Sequence, residues 1–203
     1  MPAGPAAAPV DRPPSPQGLL GVKAALVPVK AFAEAKRRLG LALPDRERQD
    51  LVRRMAEQVL AAAAPLATAV VCDDPEVASW ARDHGALVVW EPGRGLNGAV
   101  ESGVARLAEM GVHTVVVAHG DLPRASDLAS LGDLGGVTLV PDRQEDGTNV
   151  VALPAGCGFH FSYGPGSFER HRVECRRLGL PLHVLRRPGL AFDVDWPGDL
   201  DWA

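Results

Sequence analysis

Asp121 is a carboxylate three residues after an apolar run, Thr114–Ala118, in T-V-V-V-A-H-G-D-L-P. Ligands of open α/β sheets bind beyond the carboxyl ends of the strands. An Asp just past a buried strand is therefore well placed to hold a metal ion or a polyphosphate–metal complex. An Asp at this point is equally suited to begin a turn before the next helix. Strand and turn chemistry alone leave both roles of Asp121 open.

Two more aspartates, Asp193 and Asp195, occur in L-A-F-D-V-D-W-P-G-D-L. The sequence favours a strand over 191–195, and side chains two residues apart in a strand point the same way. Aspartates that converge from separate strand ends can bind a hard divalent cation together with a nucleotide. The alternative is that Asp195 caps the turn at Trp196 and Pro197.

Basic residues concentrate in P-V-K-A-F-A-E-A-K-R-R-L, which follows the first predicted strand. Lys30, Lys36 and Arg38 would place two or three positive charges where a triphosphate would lie. The spacing is neither that of a P-loop nor that of a dinucleotide-binding fingerprint. The alternative is a basic loop that only faces solvent.

Two further regions could bind ligands through small or polar residues. In G-R-G-L-N-G, the Asn97 amide could bind a base edge, and glycines such as Gly98 allow close backbone approach. Asn97 could equally be a helix N-cap. In G-T-N and Y-G-P-G-S-F, the hydroxyls of Thr148 and Ser167 and the N–H groups at a helix start could form an anion pocket. The same features could merely cap a helix.

The elements that position these residues alternate along the first part of the chain. Strands are predicted at 21–29, 67–72, 86–90 and 114–118, and helices at 45–64, 76–83 and 97–110, with Asp45 as the first helix cap. The later part predicts helices at 126–131 and 167–178, and strands at 137–141, 150–153, 182–185 and 191–195. This pattern predicts a single-domain, Rossmann-like α/β fold with a mostly parallel central sheet, helices on both faces and an antiparallel hairpin near Asp146.

Composition bounds the class of protein. The 203 residues, 46% hydrophobic and 23% charged, fit one domain at 21–203, preceded by a disordered Pro/Ala-rich tail at 1–20. A net charge of −4 argues against general nucleic-acid binding. Three dispersed cysteines predict a reducing, cytoplasmic location without structural zinc. No apolar run is long enough to span a bilayer. His119, His160 and His171 have no spacing typical of a metal site.

Several motifs occur together along residues 22–202. They are A-L-V-P-V-K followed by K-R-R-L, then G-L-N-G-A, G-D-L-P, D-G-T-N, F-x-Y-G-P-G-S-F-x-x-H and D-V-D-W-P-x-D-L. The combination resembles the CofC/FbiD family, guanylyltransferases of coenzyme F(420) biosynthesis among the MobA-like nucleotidyltransferases. Arg37 departs from the commoner K-S-R-L, and Gly120 from A-D-L-P or S-D-L-P. Neither difference removes a charge from the predicted site.

The resemblance implies a nucleotidyltransferase that moves GMP from GTP onto the phosphate of a three-carbon phospho-acid and releases pyrophosphate. The phosphate oxygen of the acid would attack the α-phosphorus in line, so no protein nucleophile is needed. Catalytic roles fall on Asp121, Lys30 and Lys36. The resemblance implies Mg²⁺ at Asp121 together with Asp193, which is favoured, or Asp195. It implies the phospho-acid at Thr148, Gly164 and Ser167, and GTP at Lys30, Lys36 and Arg38. Asn97 and Gly98 complete the predicted nucleotide site through the base-edge and backbone contacts described above.

The acceptor is not decided by these residues. The composition suggests a GC-rich bacterium, which favours phosphoenolpyruvate over 2-phospho-L-lactate. Alternatives are a related nucleotidyltransferase that uses CTP or a molybdopterin acceptor, and a nucleotide-binding regulatory module without turnover. A homodimer is compatible with the sequence, and neither nucleic acid nor a membrane is expected as a partner.

Overall fold

The computed structural model describes residues 23–202, and the predicted tail at 1–20 lies outside them. A seven-stranded sheet with the spatial order β3-β2-β1-β4-β6-β5-β7 forms the centre of the described chain. Its strands are β1 Lys23–Pro28, β2 Ala67–Cys72, β3 Leu87–Trp90, β4 Thr114–Ala118, β5 Val137–Pro141, β6 Thr148–Pro154 and β7 Leu182–Val184.

The sheet is mixed, as predicted. β1 pairs in parallel with β2 and β4, β2 with β3, and β5 with β7. β6 is antiparallel to both β4 and β5, and the β5–β6 pair is the predicted hairpin. The carboxyl ends of β1 and β4, which are adjacent parallel strands, therefore open onto the same edge of the sheet.

Helices cover both faces, which confirms the predicted fold class. They are α1 Asp45–Ala62, α2 Pro75–Asp83, α3 Gly95–Glu109, α4 Ser167–Leu178 and α5 Pro188–Ala191. Ala25 and Val27 of β1 belong to the core beneath α1, α2 and α5, whereas Ala24 and Leu26 belong to the core beneath α3 and α4. This alternation is the period-2 pattern of a strand that is buried on both faces. No helix among residues 23–202 combines the length and the apolar character that crossing a membrane requires.

Close packing of α3 on β1 depends on Gly103. A Cβ atom at this position would lie 2.6 Å from Leu26 Cδ2, inside van der Waals contact. The missing side chain lets the helix backbone approach the sheet next to the strand that leads into the basic loop.

Three local predictions are wrong. Segment 126–131 forms no α-helix, and only a short 3₁₀ turn, Ala129–Asp133, occurs there. Segment 191–195 is not a strand, because α5 begins at Pro188 and includes Ala191, and the residues after it pair with no strand. Asp45 is the first residue of α1 rather than its cap, and its carboxylate accepts a hydrogen bond from Arg48.

Candidate active site

A cleft of about 410 Å³ lies at the carboxyl ends of β1 and β4. The loop after β1 contributes Lys30, Lys36 and Arg38, and the segment after β4 contributes Asp121. Asp195 reaches the same cleft from the C-terminal part of the chain. Parallel pairing of β1 and β4 brings the basic loop to Asp121. The C-terminal segment, which is not a strand, adds Asp195, which lies 165 positions after Lys30 in the sequence.

Lys36 forms the centre of this cleft. Its Nζ atom lies 2.5 Å from Asp121 Oδ2 and 2.6 Å from Asp195 Oδ1, so one ammonium group joins two carboxylates. The backbone of Lys36 is left-handed, with φ 53°, which a residue with a Cβ adopts only at some energetic expense. The ion pairs compensate for this strain by fixing the side chain between the two aspartates.

The charges in the cleft shift one another's pKa values. Burial of Lys36 opposes its charge, but Asp121 and Asp195 together outweigh burial and raise the pKa of Lys36 above its usual value. Burial likewise opposes ionisation of Asp121, yet Lys36 holds the pKa of that carboxyl below its usual value. The pKa of Asp193 is raised to about 6 by burial and by the negative charges of Asp121 and Asp195. The cluster formed by Lys36, Asp121, Asp193 and Asp195 therefore has three carboxyl groups for one ammonium group.

The chemistry of the cluster fits a divalent cation. Asp121 Oδ1 is buried and has no hydrogen-bond partner among residues 23–202, so it is an oxygen donor that remains to be satisfied. Hard cations bind such carboxylate oxygens. The three aspartates do not form a ready-made ligand set, since no group of three or more metal-binding side chains occurs in the described chain. Lys36 lies between two of them instead.

The extended segment 192–195 positions the two C-terminal aspartates. Phe192 and Val194 are buried, whereas Asp193 and Asp195 are partly exposed, so the alternation expected of a strand occurs without strand pairing. The turn that follows is capped by Asp199, whose Oδ2 accepts from the backbone N–H groups of Asp195 and Trp196. The capping role considered for Asp195 belongs to Asp199, which the sequence reasoning missed.

The other residues predicted to bind the nucleotide divide into two groups. Lys30 and Arg38 line the cleft and are exposed, and the Arg38 guanidinium lies 4.7 Å from the centre of the Trp196 ring. Asn97 and Gly98 lie within the first turn of α3 and do not line the cleft. Asn97 is not the N-cap of this helix; its Oδ1 atom accepts from the backbone N–H of Tyr163 at 2.7 Å.

The three residues predicted to bind the phospho-acid lie near α4, next to the cleft but outside its lining. Thr148 begins β6, Ser167 begins α4, and Gly164 lies in the loop before α4 with φ 111°, a conformation that favours glycine. Thr148 and Ser167 are both buried. Thr148 Oγ1 lies 3.0 Å from Nδ1 of His171, which follows Ser167 by one helical turn, so Ser167 and His171 lie on the same side of α4.

Three backbone N–H groups at the start of α4 already have acceptors in the protein, which differs from the free N–H groups that the sequence suggested for an anion site. Gly166 N donates to Asp146 Oδ2, Ser167 N donates to Gly164 O, and Phe168 N donates to Asp146 O. Asp146, in D-G-T-N, thus ties the β5–β6 turn to the helix start. Any anion site here must rely on side-chain hydroxyls more than on the helix terminus.

Aromatic rings connect the cleft with the Thr148 region. The ring of His119, two residues before Asp121, lies 4.7 Å from the ring of Tyr163, which lies 5.1 Å from His171. Burial lowers the pKa of His119 below its usual value. Sequence reasoning gave His119 and His171 little weight, because only the folded chain shows that they stand between the two predicted ligand sites.

Solved structures with a similar fold include nucleotidyltransferases. The chain matches a nucleotidyl transferase from Methanothermobacter with a TM-score of 0.64 and 17% identity over 90% of this chain and 95% of that one. It also matches a Desulfovibrio desulfuricans protein described as a nucleotide-diphospho-sugar transferase. The TM-score is 0.71 and the identity 16%, and the match covers 88% of this chain and 84% of that one. The chain has the nucleotidyltransferase fold.

Sequence comparison identifies the family. A family model described as "Guanylyl transferase CofC like" matches residues 23–202, and the chain belongs to this family. A phosphoenolpyruvate guanylyltransferase of Sphaerobacter thermophilus is 40% identical over 187 residues, covering 87% of this chain and 90% of the relative. One of Rubrobacter xylanophilus is 37% identical over 185 residues, covering 87% and 90%.

Proposed function

We propose that the protein is a phosphoenolpyruvate guanylyltransferase, which transfers GMP from GTP to the phosphate of phosphoenolpyruvate. The products are pyrophosphate and enolpyruvyl-diphospho-5'-guanosine, an intermediate for coenzyme F(420). The observation that carries the proposal is the cluster of Lys36, Asp121 and Asp195 in a cleft at the strand ends. The names of the similar proteins from Sphaerobacter and Rubrobacter support phosphoenolpyruvate as the acceptor.

The reaction needs positioning and charge compensation rather than a protein nucleophile. An oxygen of the acceptor phosphate forms a bond to the α-phosphorus of GTP, and the bond to the β-phosphate oxygen breaks in line with it. The acceptor oxygen is already anionic near neutral pH, so no strong general base is required. Lys30, Lys36 and Arg38 would offset the negative charge that the two substrates bring together.

A magnesium ion would be held by Asp121 together with Asp193 or Asp195. When bound, it would neutralise phosphate charge and favour the departure of pyrophosphate. The unpaired Asp121 Oδ1 and the excess of carboxylates over ammonium groups support this assignment. Lys36 would then exchange part of its contact with the aspartates for contact with the triphosphate.

The phospho-acid would bind through Thr148, Gly164 and Ser167, beside the cleft. Support comes from the burial of the hydroxyl residues Thr148 and Ser167 and from the contact of Thr148 with His171. The rings of Phe161 and Tyr163 pack against His171 beside these residues, so the region would suit a small acceptor better than a large one. We assign the enzyme to the cytoplasm, consistent with the free thiols of Cys72, Cys157 and Cys175.

A panel of substrates tests the proposal. The purified protein is incubated with Mg²⁺, each of GTP, CTP and ATP, and either phosphoenolpyruvate or 2-phospho-L-lactate, and pyrophosphate is measured. We expect release with GTP and phosphoenolpyruvate, and none with GTP alone. Faster turnover with 2-phospho-L-lactate would reassign the acceptor. Equal turnover with CTP would contradict guanylyl specificity, and inactivity with every pair would favour a regulatory nucleotide-binding protein.

A further inference from the structure

His171 is a buried residue that contacts one of the proposed phospho-acid ligands. It lies on the inner face of α4 and has no solvent exposure. Its Nε2 atom lies 3.0 Å from the backbone N of Ser162, and its Nδ1 atom lies 3.0 Å from Thr148 Oγ1. The imidazole therefore connects the loop before α4 with the start of β6.

The partner of each ring nitrogen fixes the tautomer of His171. The backbone N–H of Ser162 can only donate, so Nε2 must accept and carries no proton. A neutral imidazole then carries its proton on Nδ1, which donates to Thr148 Oγ1. Burial, followed by the positive charge of Arg170, lowers the pKa of His171 to about 4, which agrees with a neutral ring near pH 7.

This tautomer also fixes the role of the Thr148 hydroxyl. An oxygen that accepts from His171 keeps its own hydrogen for a different acceptor. Within residues 23–202, the contact with His171 is the one side-chain hydrogen bond of Thr148, although Thr148 is only 2% exposed. A buried donor of this kind is costly unless a ligand accepts from it. A phosphate oxygen is such an acceptor.

We propose that His171 is a positioning residue that orients the Thr148 hydroxyl as a donor to the phosphate of the acceptor. This inference rests on the proposed function, because it assigns a task at the phospho-acid site. His171 also contacts the rings of Phe159 and Tyr163, so a purely structural role in the core must be separated from it.

Three variants separate the two roles. In His171→Gln, the side-chain oxygen can take the place of Nε2 and accept from Ser162 N–H, but no nitrogen then stands in the place of Nδ1 beside Thr148. Thr148→Val removes the hydroxyl, and the double variant removes both groups. We expect His171→Gln to raise the KM for phosphoenolpyruvate about tenfold, the value of one hydrogen bond to a charged group. The KM for GTP should change little, and His171→Gln should add nothing in the Thr148→Val background.

Nitrogen-15 NMR of the histidine rings provides a readout that does not depend on turnover. We expect Nδ1 of His171 to carry the proton in the free wild-type protein at pH 7. A proton on Nε2 would overturn the inference, as would equal increases in both KM values or additive effects in the double variant. A wild-type protein that makes no product with any substrate pair would instead contradict the proposed function. The NMR measurement of the His171 tautomer does not depend on that result, because it needs no substrate.

Discussion

Lys36 Nζ lies 2.5 Å from Asp121 Oδ2, although 85 residues separate them in the chain. The same ammonium contacts Asp195, so the side chain holds the basic loop, the end of β4 and the C-terminal segment together. A residue with this position could lower the electrostatic barrier to bringing two phosphorylated substrates into one cleft.

Replacing Lys36 by Met tests this role. We expect kcat for pyrophosphate release to fall about 100-fold or more, the usual range for loss of a charge that stabilises a transition state. Lys23→Met is a matched control, because Lys23 belongs to the amino end of β1 and pairs with Asp133. Activity of Lys36→Met within twofold of the Lys23→Met protein would remove Lys36 from the mechanism.

Asp193 and Asp195 are expected to differ in their effect on magnesium. The charge of Asp195 is paired with Lys36, whereas burial and neighbouring carboxylates raise the pKa of Asp193 to about 6. A divalent ion relieves this repulsion. Asp193→Asn should therefore raise the Mg²⁺ concentration for half-maximal activity about tenfold, which corresponds to the loss of about one contact between the ion and a charged ligand. The effect of Asp195→Asn should be smaller. A Mg²⁺ titration of both variants would contradict this order if Asp195→Asn had the larger shift.

Gly147 is required by the turn that presents Thr148. Asp142 accepts from the backbone N–H groups of Gln144, Asp146 and Gly147, and a Cβ at 147 would lie 2.7 Å from Asp142 Oδ2. Gly147→Ala should destabilise the protein by about 1–3 kcal/mol through overpacking. The KM for phosphoenolpyruvate should also rise.

Urea unfolding and steady-state kinetics measure both effects. Gly198→Ala is the matched control, because a Cβ at Gly198 meets no atom within 4 Å and its φ is not positive. Identical stability and kinetics in the two alanine variants would show that the turn tolerates a side chain.

Stability should depend on pH through His171. The folded pKa of about 4, set by burial and Arg170, lies below the ordinary value of 6.5. Between these values the unfolded ring binds a proton and the folded ring does not, so acid favours unfolding. Of the other ionisable groups nearby, His119 disfavours protonation of His171 and Glu174 favours it.

His171→Asn lacks this titration and serves as the comparison. Lowering the pH from 7 to 4.5 should reduce the free energy of unfolding of the wild type by about 2 kcal/mol more than that of His171→Asn. Urea unfolding at the two pH values measures it. A difference that is the same at both would show that the ring titrates normally in the folded protein.

The sequence predicted the regular part of the fold because local patterns determine it. Runs such as Ala67–Cys72, Thr114–Ala118 and Val137–Pro141 are strands with those same bounds, since continuous apolar runs of this length suit strands that are buried on both faces. The segment 191–195 looked like another such run. It is not a strand, because Pro188 starts a helix that includes Ala191 and because no neighbouring strand pairs with the residues that follow. Only the tertiary structure decides these two points.

Part of the site could also be predicted from the sequence. Strand-end topology brings Lys36 and Asp121 together, and this follows from counting parallel strands. The acceptors of individual hydrogen bonds do not follow from a pattern. Asp146 satisfies the N–H groups at the start of α4, Asp199 caps the last turn, and His171 contacts Thr148 across 23 residues. Each of these contacts depends on side-chain direction in the folded chain.

The most direct test of the account is the identity of the product. Wild-type protein is incubated with GTP, phosphoenolpyruvate and Mg²⁺, and the nucleotides are analysed by mass spectrometry alongside a pyrophosphate assay, with Asp121→Asn as the control. The account predicts one guanylylated phosphoenolpyruvate for each pyrophosphate, and at least about 100-fold less with a folded Asp121→Asn protein. Pyrophosphate without a guanylylated acceptor, or equal product from Asp121→Asn, would contradict it.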